Sequence, residues 1–322
     1  MAGAADTRRQ ITQLIDFSEQ AVVVTGAGRG LGRLYALDLA ARGASVVVND
    51  IGGSMSGAGT DPSVADAVVA EITAAGGAAV ASHDSVDTPE GAAAIVAAAT
   101  TSFGRLDAVI SNAGIFEMTP FDDLSVDQWR RMLSVHLDGA FYLSQPAYRV
   151  MKEQGYGRLV FVASNIAAFG QEHATHYAAA KGGIIGLTNA LANEGAPHGI
   201  RVNAVLPVGQ TRMMLDSMGQ REPNPVVDKL FDACTPERVV ALVTYLASGA
   251  CELTHHEISA VAGRFARVFV GLGEGWLAEP DADPTAEDIE AHLAEIVATD
   301  PASTPMAVAD EIVAMLLRLG II

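Results

Sequence analysis

The chain has 322 residues, half of them apolar, which is ample for a substantial core in one large domain or two small ones. A net charge of −18 and an isoelectric point near 4.7 argue against nucleic acid or an anionic membrane surface as partners, since both would repel it. Two cysteines, Cys234 and Cys251, make neither a disulfide framework nor a CxxC metal cluster; with no signal-peptide core and no apolar run of about 18 residues, the chain reads as cytoplasmic and soluble.

Residues 1–19 form an N-terminal segment. From Gln20 to about Pro207, short β-branched runs alternate with Ala-rich stretches of helical character, the pattern of βαβ units building a parallel sheet. The expected strands are "AVVVT", "SVVVND", "AAVAS", "LDAVIS", "RLVFVAS" and "RVNAVLP", each apolar nearly throughout, as strands covered on both faces should be. Helices are expected around 30–42, 62–75, 89–103, 125–153 and 175–196. After Pro207 a Met-rich, Pro-containing stretch, about 211–235, has the character of a substrate flap, followed by a helix near 236–248. A seventh strand fits "EISAVAGRFARVFV", and residues 271–322 read as polar linkers around two amphipathic helices. The expectation is an α/β fold: a doubly wound parallel Rossmann sheet of about seven strands spanning residues 20–270, with helices on both faces and a helical C-terminal extension.

"AVVVTGAGRGLG" places Gly26, Gly28, Gly30 and Gly32, with Arg29 and Leu31 between them, after a strand and at the start of a helix. Glycines there allow a tight turn and close approach of a pyrophosphate to the free N–H groups of the helix N-terminus. Asp50 ends the second strand, 18 residues beyond Gly32, near the spacing at which an acid accepts hydrogen bonds from the adenosine ribose. It favours NAD over NADP, whose 2′-phosphate would face a carboxylate. Arg29 pulls the other way, and a helix or turn cap is the plain structural role for Asp50.

"YAAAK" sets Tyr177 and Lys181 four residues apart, on one face of a helix. Ser164 lies 13 residues before Tyr177, at the carboxyl edge of the sheet where open α/β folds bind ligands. These three polar groups converge where a nicotinamide would lie.

With "TGAGRGLG", "SNAG" (Ser111 to Gly114), Ser164 and "YAAAK" in this order, residues 20 to about 270 resemble the short-chain dehydrogenase/reductase family in its single-domain form. The resemblance implies hydride transfer between a secondary alcohol or ketone and nicotinamide. It makes Tyr177 the acid/base, its pKa lowered by roughly 2 to 3 units by Lys181 and the positive nicotinamide. It also makes Tyr177 and Lys181 contacts of the cofactor, Lys181 at the nicotinamide ribose, and Ser164 the group that holds the substrate oxygen. It places Asp84 and Ser85 beside the adenine, Asn112, Ala113 and Gly114 along the cofactor's middle, and Pro207, Gly209 and Thr211 near the carboxamide and diphosphate. Here Val208 interrupts the family's usual Pro-Gly pair.

"YALDLAARGASVVVNDIGG", "YGRLVFVAS", "LANEGAPHGIRVNAVLPVGQTRM" and "SVHLDGAF" are similar to the (3R)-hydroxyacyl-CoA dehydrogenase branch of that family, the module of peroxisomal multifunctional β-oxidation enzymes. This implies a 3-hydroxyacyl-CoA thioester substrate, a steroid or other bulky acyl chain included, with NAD favoured by Asp50; the alternatives are NADPH-linked reduction of a 3-oxoacyl carrier-protein ester or other carbonyl and a nucleotide-sensing module without turnover. Met213, Met214 and Met218 are either acyl contacts or core filler. The family's habits imply a homodimer or homotetramer paired through the helices near 125–153 and 175–196. His136 stands where most members carry asparagine at a helix kink whose carbonyl binds a relay water. A structural role for it competes with a titrating one.

Overall fold

The computed structural model describes residues 14–55, 57–210, 224–278, 283–319 and 321. Seven parallel strands run in the order β3 (Ala78–Ser82), β2 (Ser45–Asn49), β1 (Ala21–Thr25), β4 (Ala108–Ser111), β5 (Gly157–Val162), β6 (Ile200–Val208) and β7 (His256–Val261). Alternate residues of one strand feed opposite cores: Val22 and Val24 of β1 pack with α1 (Gly30–Ala41) and α2 (Ser63–Ala74), while Val23 packs on the other face with α3 (Pro89–Phe103). That two-sided burial is why these strands are apolar throughout rather than alternating.

The chain moves outward from β1 to β3 and then crosses back to β4 on the other side of β1. The reversal opens a crevice beyond the carboxyl ends of β1 and β4, where doubly wound sheets place their ligands. β5 leads into a short α6 (Asn165–Phe169) and then α7 (Thr175–Gly195), which packs alongside β6.

Two expectations need correction. The long helix near 125–153 is interrupted: α4 (Val126–Leu133) and α5 (Gly139–Gln154) are joined by a π turn, Ser134–Asp138, whose wider hydrogen bond runs from Gly139 N–H to the Ser134 carbonyl. Helical periodicity does not register one inserted residue, and such bulges gather at functional sites. The expected seventh strand is a hairpin, so the sheet has eight strands; β8 (Arg264–Val268) runs antiparallel to β7. Its two-residue link, Ala262 and Gly263, is left-handed at both positions (φ 51° and 85°), as tight hairpins require. An alanine at a position that disfavours Cβ gives little turn signal in the sequence.

In the C-terminal extension the helices are Ala286–Ala291, Leu293–Ile296 and Val308–Arg318, with a small antiparallel pair between Leu272–Gly273 and Pro301–Ser303. Asn193 Nδ2 of α7 donates to the Met306 carbonyl at 3.1 Å, tying this region to the α/β body. Among the described residues no helix is long and apolar enough to cross a membrane.

Candidate active site

The turn after β1 is built around missing side chains. Gly26 is left-handed (φ 62°), and a Cβ on Gly32 would stand 2.1 Å from the Gly26 carbonyl oxygen, so only glycine lets the first turn of α1 fold back on the strand end. Among the described residues no side chain caps α1, whose N-cap is Arg29, and its first residues line the crevice. Asn112 fastens this turn to β4: its Nδ2 donates to the carbonyls of Thr25 and Gly26 at 3.0 and 3.1 Å, while Thr25 Oγ1 accepts from the Asn112 and Ala113 N–H groups.

Asp50 follows β2 directly. One carboxylate oxygen accepts the Gly28 N–H at 2.9 Å, the other the Gly52 N–H at 2.7 Å. Each oxygen keeps acceptor capacity, so the cap role and ribose recognition are compatible. Arg29 Nη1 donates to the Gly53 carbonyl at 3.2 Å, on the loop that follows Asp50. Asp84 is fixed through its carbonyl, which accepts from Asn49 Nδ2 at 2.8 Å, and Ser85 donates to Asp87.

Ser164 caps α6, its Oγ accepting the Ile166 N–H at 3.2 Å, and it also hydrogen-bonds the Tyr177 hydroxyl. Tyr177 and Lys181 lie on the buried face of α7. Lys181 Nζ donates to the Val162 carbonyl at 2.5 Å and sits 5.9 Å from the Tyr177 ring centroid. The rings of Phe116 and His136 meet the Tyr177 ring edge-on, at 5.0 and 5.3 Å between centroids. This dry setting dictates the titration. Burial pushes the Tyr177 hydroxyl up to about 12, with the Ser164 hydrogen bond opposing, and pushes the Lys181 ammonium down to about 7. Among the protein groups burial sets the direction and the Ser164 hydrogen bond opposes it, so the expected lowering would have to come with the positive nicotinamide.

His136 is 4% exposed, at the centre of the π turn. Its Nε2 lies 2.7 Å from the Ile115 carbonyl and 3.2 Å from the Ile115 N–H; a proton on Nε2 satisfies the shorter contact and excludes the longer one as a hydrogen bond. Among the described residues Nδ1 has no hydrogen-bond partner. Burial, with the nearby Lys181 cation, holds the imidazole well below its ordinary pKa, so it is neutral. The ring fills the space beside Gly114, where a Cβ would stand 2.3 Å from Cε1.

A cavity of about 760 Å³ runs from the glycine turn to Tyr177. Gly26, Arg29, Gly30, Leu31, Gly32 and Asp50 line it, as do Asp84, Ser85, Asn112, Ala113 and Gly114. So do His136, Ser164, Tyr177, Lys181, Pro207 and Gly209. Gly28 sits beneath Asp50; Thr211 and the three flap methionines lie outside the described residues. Sequence reasoning missed Val86, Arg131, Val135 and Ile166 in the lining, along with Met55, whose carbonyl accepts the Phe116 N–H at 3.3 Å and closes the post-β2 loop over the crevice. Only Val135 carried a signal, as the residue beside His136. The glycine cradle, the uncapped helix and the free acceptors of Asp50 fit a dinucleotide. Among the described residues no cluster of three His, Cys, Asp or Glu side chains suits a metal.

The short chain dehydrogenase family model matches residues 20–222. A short-chain type dehydrogenase/reductase of Mycobacterium tuberculosis is 43% identical over 278 residues, 86% of this chain and 94% of that protein. The mouse peroxisomal multifunctional enzyme type 2 is 42% identical over 236 residues, 73% of this chain but 31% of the mouse protein. Among solved structures, the full-length peroxisomal multifunctional enzyme type 2 of Drosophila melanogaster superposes with a TM-score of 0.78 at 31% identity, covering 95% of this chain and 50% of that one. The chain therefore spans half or less of these two multifunctional enzymes.

Proposed function

The chain belongs to the short-chain dehydrogenase/reductase family, and on that premise we propose that it is an NAD-linked dehydrogenase oxidising the 3-hydroxyl of an acyl-CoA thioester to the 3-oxo form. Membership makes it an oxidoreductase using a nicotinamide cofactor, which when bound accepts the hydride. The observation that carries the reading is the meeting of Ser164, Tyr177 and Lys181 in one cavity with the glycine turn and Asp50.

In this scheme Gly26 to Gly32 and Asn112 to Gly114 hold the dinucleotide, Asp50 takes the ribose hydroxyls, and Asp84 and Ser85 border the adenine. Asp50 favours NAD because its carboxylate would oppose a 2′-phosphate, while Arg29 is already engaged with Gly53. Pro207 and Gly209 border the nicotinamide end. Ser164 accepts the Ile166 N–H and hydrogen-bonds the Tyr177 hydroxyl, and an incoming substrate oxygen would take its proton in place of that second bond. Tyr177 takes the alcohol proton as hydride leaves carbon. A phenol near pH 12 is a poor acid/base at neutrality, so Lys181 supports the phenolate only in its charged form, which the positive cofactor ring reinforces. His136 positions Tyr177 and the turn at Ile115 as a neutral side chain. Similarity to the multifunctional enzymes supports the acyl-CoA class.

We assign residues 20–270 to catalysis, and a homodimer or homotetramer paired through α5 and α7. The test is nicotinamide reduction with a series of 3-hydroxyacyl-CoA thioesters, both stereoisomers, and simple secondary alcohols, with NAD and NADP. Turnover of thioesters with NAD supports the reading; exclusive NADPH-linked reduction of carrier-protein esters replaces it, and nucleotide binding without turnover of any of them abandons it.

A further inference from the structure

Arg131 is a cation of the cavity wall that the scheme above leaves without a task. It sits in the last turn of α4, exposed, with its guanidinium against the post-β2 loop: a Cβ on Gly57 would stand 3.0 Å from Arg131 Nη2 and 2.9 Å from Ile115 Cγ2. Val135, one turn further on, lines the same cavity, so this helix face is the one turned inward.

The cavity wall holds two other arginine or lysine side chains, and both are engaged: Lys181 with the Val162 carbonyl and Arg29 with the Gly53 carbonyl. Among the described residues no hydrogen bond or ion pair reaches the Arg131 guanidinium, Asp127 one turn earlier included. Nor does it complement a helix end, because the helix continues through the π turn into α5 and its carbonyls stay bonded. With no protein partner among the described residues, its donors are available to a ligand that enters the cavity.

The chemistry of that ligand follows from charge. Three carboxylates, Asp50, Asp84 and Asp87, line the same cavity, and the whole chain stands at −18, so a polyanion entering here meets repulsion. A planar guanidinium with parallel donors is the side chain best suited to recover a phosphate. We propose that Arg131 binds a phosphate group of a nucleotide ligand at the cavity mouth. The source is either the coenzyme A carried by the substrate, a choice that rests on the function proposed above, or the dinucleotide itself.

The experiment compares the wild type with Arg131→Gln and Arg131→Lys. Calorimetric titration with free coenzyme A, NAD and NADP measures binding without turnover. In parallel, kcat/KM is measured for one 3-hydroxyacyl group carried on coenzyme A and on N-acetylcysteamine, which has no phosphate. Arg131→Gln should weaken a nucleotide ligand roughly ten- to hundredfold, the loss of a charge-assisted hydrogen bond, with partial recovery in Arg131→Lys. Loss confined to coenzyme A, with the thioester preference shifted towards N-acetylcysteamine by the same factor, identifies the substrate carrier as the source. Loss confined to NAD or NADP identifies the cofactor. Affinities within twofold of wild type for all three nucleotides overturn the proposal. If the wild type neither binds coenzyme A nor oxidises its thioesters, the acyl-CoA reading falls, while Arg131 is still judged on the dinucleotide titrations.

Discussion

Replacing His136 with asparagine separates a supporting imidazole from a titrating one. The amide reaches less far than the imidazole, so the bond that His136 Nε2 makes to the Ile115 carbonyl at 2.7 Å is stretched. What is lost is the edge contact with Tyr177, worth about 0.5–1.5 kcal/mol, and ring volume in a site that is 4% exposed, worth about 1 kcal/mol more. His136→Asn should therefore cost about 2 kcal/mol of stability in urea denaturation and keep kcat within tenfold. The pH dependence carries a sign. Because the folded imidazole is held well below its ordinary pKa of 6.5, the unfolded chain takes up a proton first, and wild-type stability declines as pH falls below about 6.5. Asparagine removes that contribution, so the gap between variant and wild type should narrow in acid. A hundredfold loss of kcat with the fold intact, or a limb of the pH–rate profile near neutrality that vanishes in the variant, would show His136 to be a proton carrier and refute this reasoning.

Lys181→Met should abolish turnover and alter the pH dependence of ligand-free stability. With Lys181 lowered to about 7, the wild type gains stability as pH rises from 7 towards 10.5, where the unfolded lysine still holds a proton that the buried one has lost; denaturation at intermediate pH values should show no such gain in the variant. Asp50→Ser should raise the KM for NAD at least tenfold and reduce the preference over NADP, read from initial rates with each cofactor; an unchanged ratio would leave Asp50 as a cap for Gly28 and Gly52 only. Sedimentation velocity at micromolar concentration should report a dimer or tetramer, and a lone monomer would remove the assignment of α5 and α7 as pairing helices.

The strands and the site were legible to different depths. β1 to β6 declare themselves because burial on both faces leaves no room for polar alternation, and the Ser164, Tyr177 and Lys181 positions follow from one strand end and one helical turn. The resemblance implied a helix kink at His136, but its form as a π turn was hidden because the sequence is helical on either side of it. The β7–β8 hairpin was hidden because Ala262 occupies a left-handed position that a sequence reader reserves for glycine or asparagine. Arg131 and Met55 entered the cavity wall only through folding, which brings the post-β2 loop against Phe116 and Ile115 across more than fifty residues of chain. The direction of the Tyr177 shift was beyond the sequence for a related reason: it depends on how dry the pocket is, and Phe116, His136 and Ala174 come from three separate segments.

The central claim is tested most directly by measuring NAD reduction with 3-hydroxyacyl-CoA thioesters in the wild type and in Tyr177→Phe, alongside NADH binding to both. The account predicts turnover in the wild type and its loss in Tyr177→Phe with NADH still bound, since the glycine turn and Asp50 would hold most of the nucleotide while the hydroxyl handles the proton. Equal turnover by the two proteins, or NADH binding without oxidation of any thioester by the wild type, would contradict it.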